Sequence, residues 1–193
     1  MKLENYLKKH FLILRDGKDK KKDNFINKGR YVMAYILNEV TIRTDNSEKG
    51  IQAINELWQD ISIGKIPILF DSEHEFQTGI SPISKYSNYE GDESGKYNLT
   101  VMAVKSEFFK LMEDKINNRK YVRYEEKDEN GDISVCAKKA WERVWNDQKS
   151  GSIDRSFTED FESTVPKEYT KDGVAHCYLY ICLLYTSPSP RDS

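Results

Sequence analysis

The chain has 193 residues, of which 38 % are apolar, 32 % charged and 12 % aromatic, and it carries a net charge of −2. That length accommodates one domain with a short appendage, and the apolar share is enough for a packed core beneath a hydrophilic surface. The charge is uneven: residues 1–30 hold ten Lys/Arg, among them Lys8, Lys9, Lys20, Lys21 and Lys22, against four acids, so the remainder is acidic and does not read as a nucleic-acid-binding domain.

In chain order, Leu3, Tyr6, Leu7, Phe11 and Leu14 recur at helical spacing and predict a short helix, followed by a polar, basic linker over Gly17–Lys22. No helix-turn-helix pattern occurs here, and residues 1–29 read as a solvated basic extension that could touch nucleic acid or an acidic partner. Tyr31–Arg43 is rich in β-branched and aromatic residues and predicts a strand. Asp45-Asn46-Ser47-Glu48 offers a helix N-cap, and Ile51, Ile54, Leu57, Trp58 and Ile61 follow at amphipathic spacing until Gly64 and Pro67 end the run. Two strands are expected over Ile80–Tyr89 and Lys96–Val104, joined by the turn-rich Glu90–Gly95. The order then repeats. Lys120–Glu125 predicts a strand, Asn130-Gly131-Asp132 a turn, and Ile133, Ala137, Ala140, Trp141, Val144 and Trp145 a second amphipathic helix closed by Gly151. Phe157–Val165 and Val174–Ile181 are two further strands, linked by the polar stretch Pro166–Gly173. The chain from about 31 to 181 thus reads β-α-β-β twice, and Trp58, Trp141 and Trp145 sit at core spacing on the two helices.

The remaining signals are mostly exclusions. Cys136, Cys177 and Cys182 form no C-x-x-C pair and do not cluster with His10, His74 or His176, so neither a zinc site nor another cofactor is implied. An odd cysteine count without a signal peptide points to the reducing cytoplasm. No apolar run approaches the roughly 20 residues that span a bilayer. The oligomeric state is not legible. The last dozen residues, Cys182 to Ser193, lose all periodicity at two prolines, and the string resembles the in-frame translation of a sequencing adapter. It is expected to be an artefactual tail of the kind found on metagenomic fragments, with the final strand ending near Ile181.

Three stretches carry a family resemblance: Ala140-Trp141-Glu142-Arg143-Val144-Trp145, Arg155-Ser156-Phe157-Thr158-Glu159-Asp160-Phe161-Glu162, and Val174-Ala175-His176-Cys177-Tyr178-Leu179-Tyr180-Ile181. Asn55-Glu56-Leu57-Trp58, Tyr86-Ser87-Asn88-Tyr89-Glu90 and Tyr97-Asn98-Leu99 add to it in the first half. Residues 30–181 resemble the GyrI-like domains, also called bacterial transcription-activator effector-binding domains, which occur in AraC-type regulators and as stand-alone integron-associated proteins. The resemblance implies an α+β fold of tandem β-α-β-β modules forming one curved antiparallel sheet with two helices packed on it. It also implies multidrug-type binding of an amphipathic, often cationic, small organic ligand near the pseudo-two-fold axis, and a link to transcription regulation. The family's glutamate matches Glu162, and the ligand-binding set expected around it is Tyr178, Tyr180, Trp58, Tyr86, Tyr89, Trp141 and Phe157. Residues 1–29 have no family counterpart, and the fused DNA-binding domain is missing.

Strand alternation bears on the same residues. Ala175, Cys177, Leu179 and Ile181 face one way, His176, Tyr178 and Tyr180 the other. Phe157, Phe161 and Val165 share one face of the preceding strand, Thr158, Asp160 and Glu162 the opposite one. If both apolar faces are core, Glu162 stands beside Tyr178 and Tyr180, a carboxylate among rings suited to a cation. Such a carboxylate is expected to be wet or to carry a raised pKa. An enzymatic alternative is hydrolysis of electrophilic small molecules with Glu162 as base and Tyr178 or Tyr89 as hydrogen-bond donor. No Gly-x-Ser-x-Gly, phosphate loop or His-Glu-x-x-His motif accompanies it. A third possibility is an inhibitor that docks on a DNA enzyme through the basic extension.

Overall fold

The computed structural model describes residues 36–75 and 77–184. The basic extension, the start of the first strand and residues 185–193 lie outside the described residues. The elements are β1 (Ile36–Thr44), α1 (Glu48–Ser62), β2 (Ser81–Ser87), β3 (Tyr97–Val104), α2 (Glu107–Asn117), β4 (Tyr121–Asp128), α3 (Ile133–Ser150), β5 (Arg155–Val165) and β6 (Ala175–Leu183), with a 3₁₀ turn at Lys167–Tyr169. β6 runs through Cys182 and Leu183, two residues into the segment assigned to the tail.

Both long helices begin where short polar side chains satisfy orphan N–H groups. Ser47 accepts from the Gly50 N–H, and Asp132 from those of Ser134 and Val135. α3 stops at Gly151, whose φ of 75° is open to glycine at little cost.

The six strands form one antiparallel sheet in the order β1-β3-β2-β5-β6-β4. From either edge inward, the first, third and second strands of a β-α-β-β unit are met in turn, and the units join at β2 and β5. The fold is thus α+β, a duplicated β-α-β-β arrangement with helices packed on a curved open sheet.

The duplicated pattern does not contain α2. Phe108 and Met112, four residues apart, are buried among Ile83, Met102, Val104, Tyr121, Phe161 and Tyr180, on the sheet face opposite α1 and α3. α1 lies over Leu99, Val101 and Ala103, while α3 lies over Ala175, Cys177, Leu179 and Ile181. Both faces of the sheet are therefore covered, with two helices on one side and one on the other. Among the described residues, no helix is long and apolar enough to cross a membrane, and no group of three or more His, Cys, Asp or Glu is placed to hold a metal ion.

Candidate functional site

The centre of the sheet carries an unusual concentration of polar and aromatic groups. Glu162 on β5 pairs with Ser84 on β2 and with Leu179 on β6. Residues paired across strands share a face, so Glu162 projects on the side of α1 and α3. Two groups donate to its carboxylate, the Tyr86 hydroxyl and the Trp141 Nε1–H, each at 2.8 Å and both to Oε2. β2 supplies the first and α3 the second, so one oxygen joins the two modules. Burial raises the Glu162 pKa above its ordinary 4.5, and the two hydrogen bonds oppose that rise. The Tyr86 phenol is itself pushed well above 10 by burial and by Glu162, so it remains a neutral donor.

Rings extend from this carboxylate in both directions. Trp141 meets Tyr86 edge-on at 5.2 Å and stacks on Trp145 at 6.2 Å. In the other direction Tyr86 touches Tyr97, Tyr97 touches Tyr89, and Tyr89 meets Phe157 edge-on at 5.6 Å. Six aromatic side chains thus form a continuous row beneath and between the helices. Trp145, at core spacing in the sequence, is 39 % exposed and ends the row at the surface. Among the described residues, no hydrogen bond, ion pair or ring contact joins α1 to α3, so the row lies under a seam between two separately packed helices.

A second acid, Asp160, lies one pleat away on the same face, but its charge is fully occupied. Its Oδ2 accepts from the Arg155 guanidinium at 2.8 Å and from the Tyr89 hydroxyl at 2.9 Å, and its Oδ1 accepts from the Cys182 backbone N–H at 2.9 Å. Arg155 and Asp160 have fully buried side chains. Arg155 also donates to Gln148 and pairs with Glu93 at 3.4 Å, and its Nε is the buried group without a hydrogen-bond partner among the described residues. The guanidinium lies 4.4 Å from the Phe157 ring centroid and under 6 Å from those of Tyr89 and Trp141. Of the two acids, only Glu162 is held solely by neutral donors.

Two sequence expectations are corrected here. Glu162 does not share a face with Tyr178 and Tyr180. The register places Tyr180 opposite Phe161 and Tyr178 opposite Ser163, on the α2 side. Tyr180 is 4 % exposed and lies in the core with Phe108. The inference failed because it took only one sheet face to be apolar, whereas α2 covers the other. The alternative catalytic pair of Glu162 with Tyr178 is therefore divided by the sheet. The Tyr178 hydroxyl instead lies 3.0 Å from His176 Nδ1, within a cluster in which His176 bridges Glu125 and Asp172. Tyr89, the other proposed donor, directs its hydroxyl hydrogen bond to Asp160. The second correction concerns Phe157 and Phe161, which do not share surroundings. The ladder between β5 and β6 shifts register between Arg155 and Asp160, and Phe157 takes a φ of 52° inside the bulge. Its ring turns to Tyr89 and Arg155, whereas Phe161 packs on Phe108 and Tyr121.

Of the eight expected ligand-site residues, the structure joins Glu162, Tyr86 and Trp141 directly and places Tyr89 and Phe157 in the same aromatic row. Trp58 is partly buried against the core beneath α1, and Tyr178 and Tyr180 stand apart. The sequence reading missed Asp160 as a site residue and Arg155 as its buried partner. Their five-residue separation matches no strand period, because the bulge intervenes. A cavity of about 400 Å³ lies past the end of α1, lined by Ile63, Gly64, Lys65, Phe70 and His74, and shares no residue with the Glu162 cluster. Compared with protein-family models, with curated proteins and with solved structures, the chain has no match.

Proposed function

We propose that this protein binds an amphipathic organic cation between α1 and α3, over the aromatic row, with Glu162 as its counter-charge. It would serve as an effector-binding module that senses or sequesters the ligand. One observation carries the reading: a partly buried carboxylate at the centre of the sheet has two neutral hydrogen-bond donors and no cationic partner among the described residues. Such a group is costly to keep ionised, and a bound cation relieves that cost. The rings of Tyr86, Trp141 and Trp145 offer faces and edges on which the apolar part of the ligand can lie. The resemblance of residues 30–181 to GyrI-like domains supports the same reading.

A displacement titration with a fluorescent lipophilic cation tests this. Glu162→Gln, which keeps the size and both incoming hydrogen bonds, is expected to weaken binding at least tenfold. Tyr178→Phe, on the opposite face, is expected to leave binding unchanged. Equal affinities for the wild type and Glu162→Gln would remove the charge-recognition idea.

A further inference from the structure

The two hydrogen bonds to Glu162 are not shared between its oxygens. Tyr86 and Trp141 both donate to Oε2. Among the described residues, no backbone or side-chain donor reaches Oε1. Its neighbour across the strand is Ser84, small and 4 % exposed, and the other carboxylate on that face, Asp160, has its donors to itself. A carboxylate accepts about four hydrogen bonds, so this one reaches the seam with a solvent-reachable oxygen that no protein donor among the described residues occupies.

From this we infer the class of ligand: a cation bearing an N–H donor, such as a protonated aryl-alkyl amine or an amidinium, in preference to a quaternary ammonium of the same shape. The inference rests on the binding reading above and narrows it. An ammonium N–H places its charge and a hydrogen bond on Oε1 together, and charge-assisted bonds of this kind are the stronger ones. A quaternary nitrogen brings the charge but no hydrogen, and its methyl groups displace water from the solvent-reachable Oε1 without replacing its hydrogen bond, which costs free energy. Aromatic faces alone do not impose this choice, because rings attract quaternary and protonated nitrogen alike. The asymmetry of the carboxylate does. Burial raises the pKa of Glu162 against the two hydrogen bonds, so a cation that donates to the carboxylate stabilises its charged form.

The test uses a matched pair on the full chain at pH 7.5, N,N-dimethyl-1-naphthylmethylamine, protonated at that pH, and its N-methyl quaternary salt. The protonated amine is expected to bind about tenfold or more tightly than the quaternary ion, the effect of one charge-assisted hydrogen bond. Glu162→Gln is expected to abolish that preference as well as weakening both. Equal affinities for the two probes, with both weakened by Glu162→Gln, would overturn the donor requirement and leave the cation site standing. A preference that survives in Glu162→Gln would also overturn it, because the discrimination would then arise elsewhere. If neither probe binds, or Glu162→Gln changes neither affinity, the cation-binding reading falls and this inference with it. The comparison on the wild-type protein needs no variant to fold.

Discussion

At the scale of the residue, Glu162 combines a requirement for binding with a cost to folding. Its carboxyl is shifted above 4.5 by burial, so between the unfolded and folded pKa values the native state holds more protons than the unfolded one. Stability of the ligand-free protein therefore falls as pH rises through that window, and the penalty is fully present above it. Glu162→Gln removes the charge and the penalty together. Thermal unfolding at pH 7.5 is expected to show a higher Tm for Glu162→Gln than for the wild type, and the difference should vanish as pH is lowered below the ordinary Glu value. A lower Tm for the variant at pH 7.5 would mean that the ionised carboxylate is satisfied within the empty protein. Loss of a binding residue with a gain in stability is the pattern expected where a site holds an uncompensated charge.

At the scale of the element, α2 shows how a helix outside the repeat decides which way the strands face. Its alternative side chains are polar, with Glu107, Lys110, Glu113 and Asp114 interleaved with Phe108, Phe109, Met112 and Ile116. That spacing is helical and was legible in the sequence, but the duplicated β-α-β-β pattern gave it no place. Phe108 is 2 % exposed and stands edge-on to Phe161 at 5.3 Å. Phe108→Ala should lower unfolding free energy by about 3–5 kcal/mol, the usual cost of a large cavity in a core, read from urea denaturation. Because α2 lies on the face opposite Glu162, the affinity of the folded variant for the cation probes should change little. A large loss of affinity would show that α2 shapes the site through the sheet. β5 makes the complementary point. Alternation predicts faces only where the ladder is regular, and the bulge between Arg155 and Asp160 broke it at Phe157 while preserving the shared face of Asp160 and Glu162.

At the scale of the whole molecule, the two modules are tied through groups that neither could satisfy alone. Asp160 and Arg155 belong to the second module, whereas Tyr89 and Glu93, which bond to them, belong to the first. Removing one partner of a buried ion pair leaves the other charge uncompensated, at a cost of about 3–5 kcal/mol. Asp160→Ala is expected to lose that much by chemical denaturation, whereas substituting the exposed pair Arg123–Glu113 should change stability by less than about 1 kcal/mol. If Asp160→Ala costs no more than that surface pair, the network is not what joins the halves. The sequence by itself determined the α+β class, the duplicated order of elements and a helix N-cap within residues 45–48, and the family resemblance grouped Glu162 with Tyr86 and Trp141. The first three are local or follow from periodicity, whereas the last joins residues far apart in the chain and came from the resemblance alone. Only the tertiary structure decided that Tyr178 and Tyr180 lie across the sheet from Glu162, that Arg155 neutralises Asp160 rather than Glu162, and that one carboxylate oxygen is left open. Strand register and the covering of both faces are settled by pairings between distant segments. A shift of one residue there reverses every side chain while leaving the hydrophobic pattern of each strand unchanged.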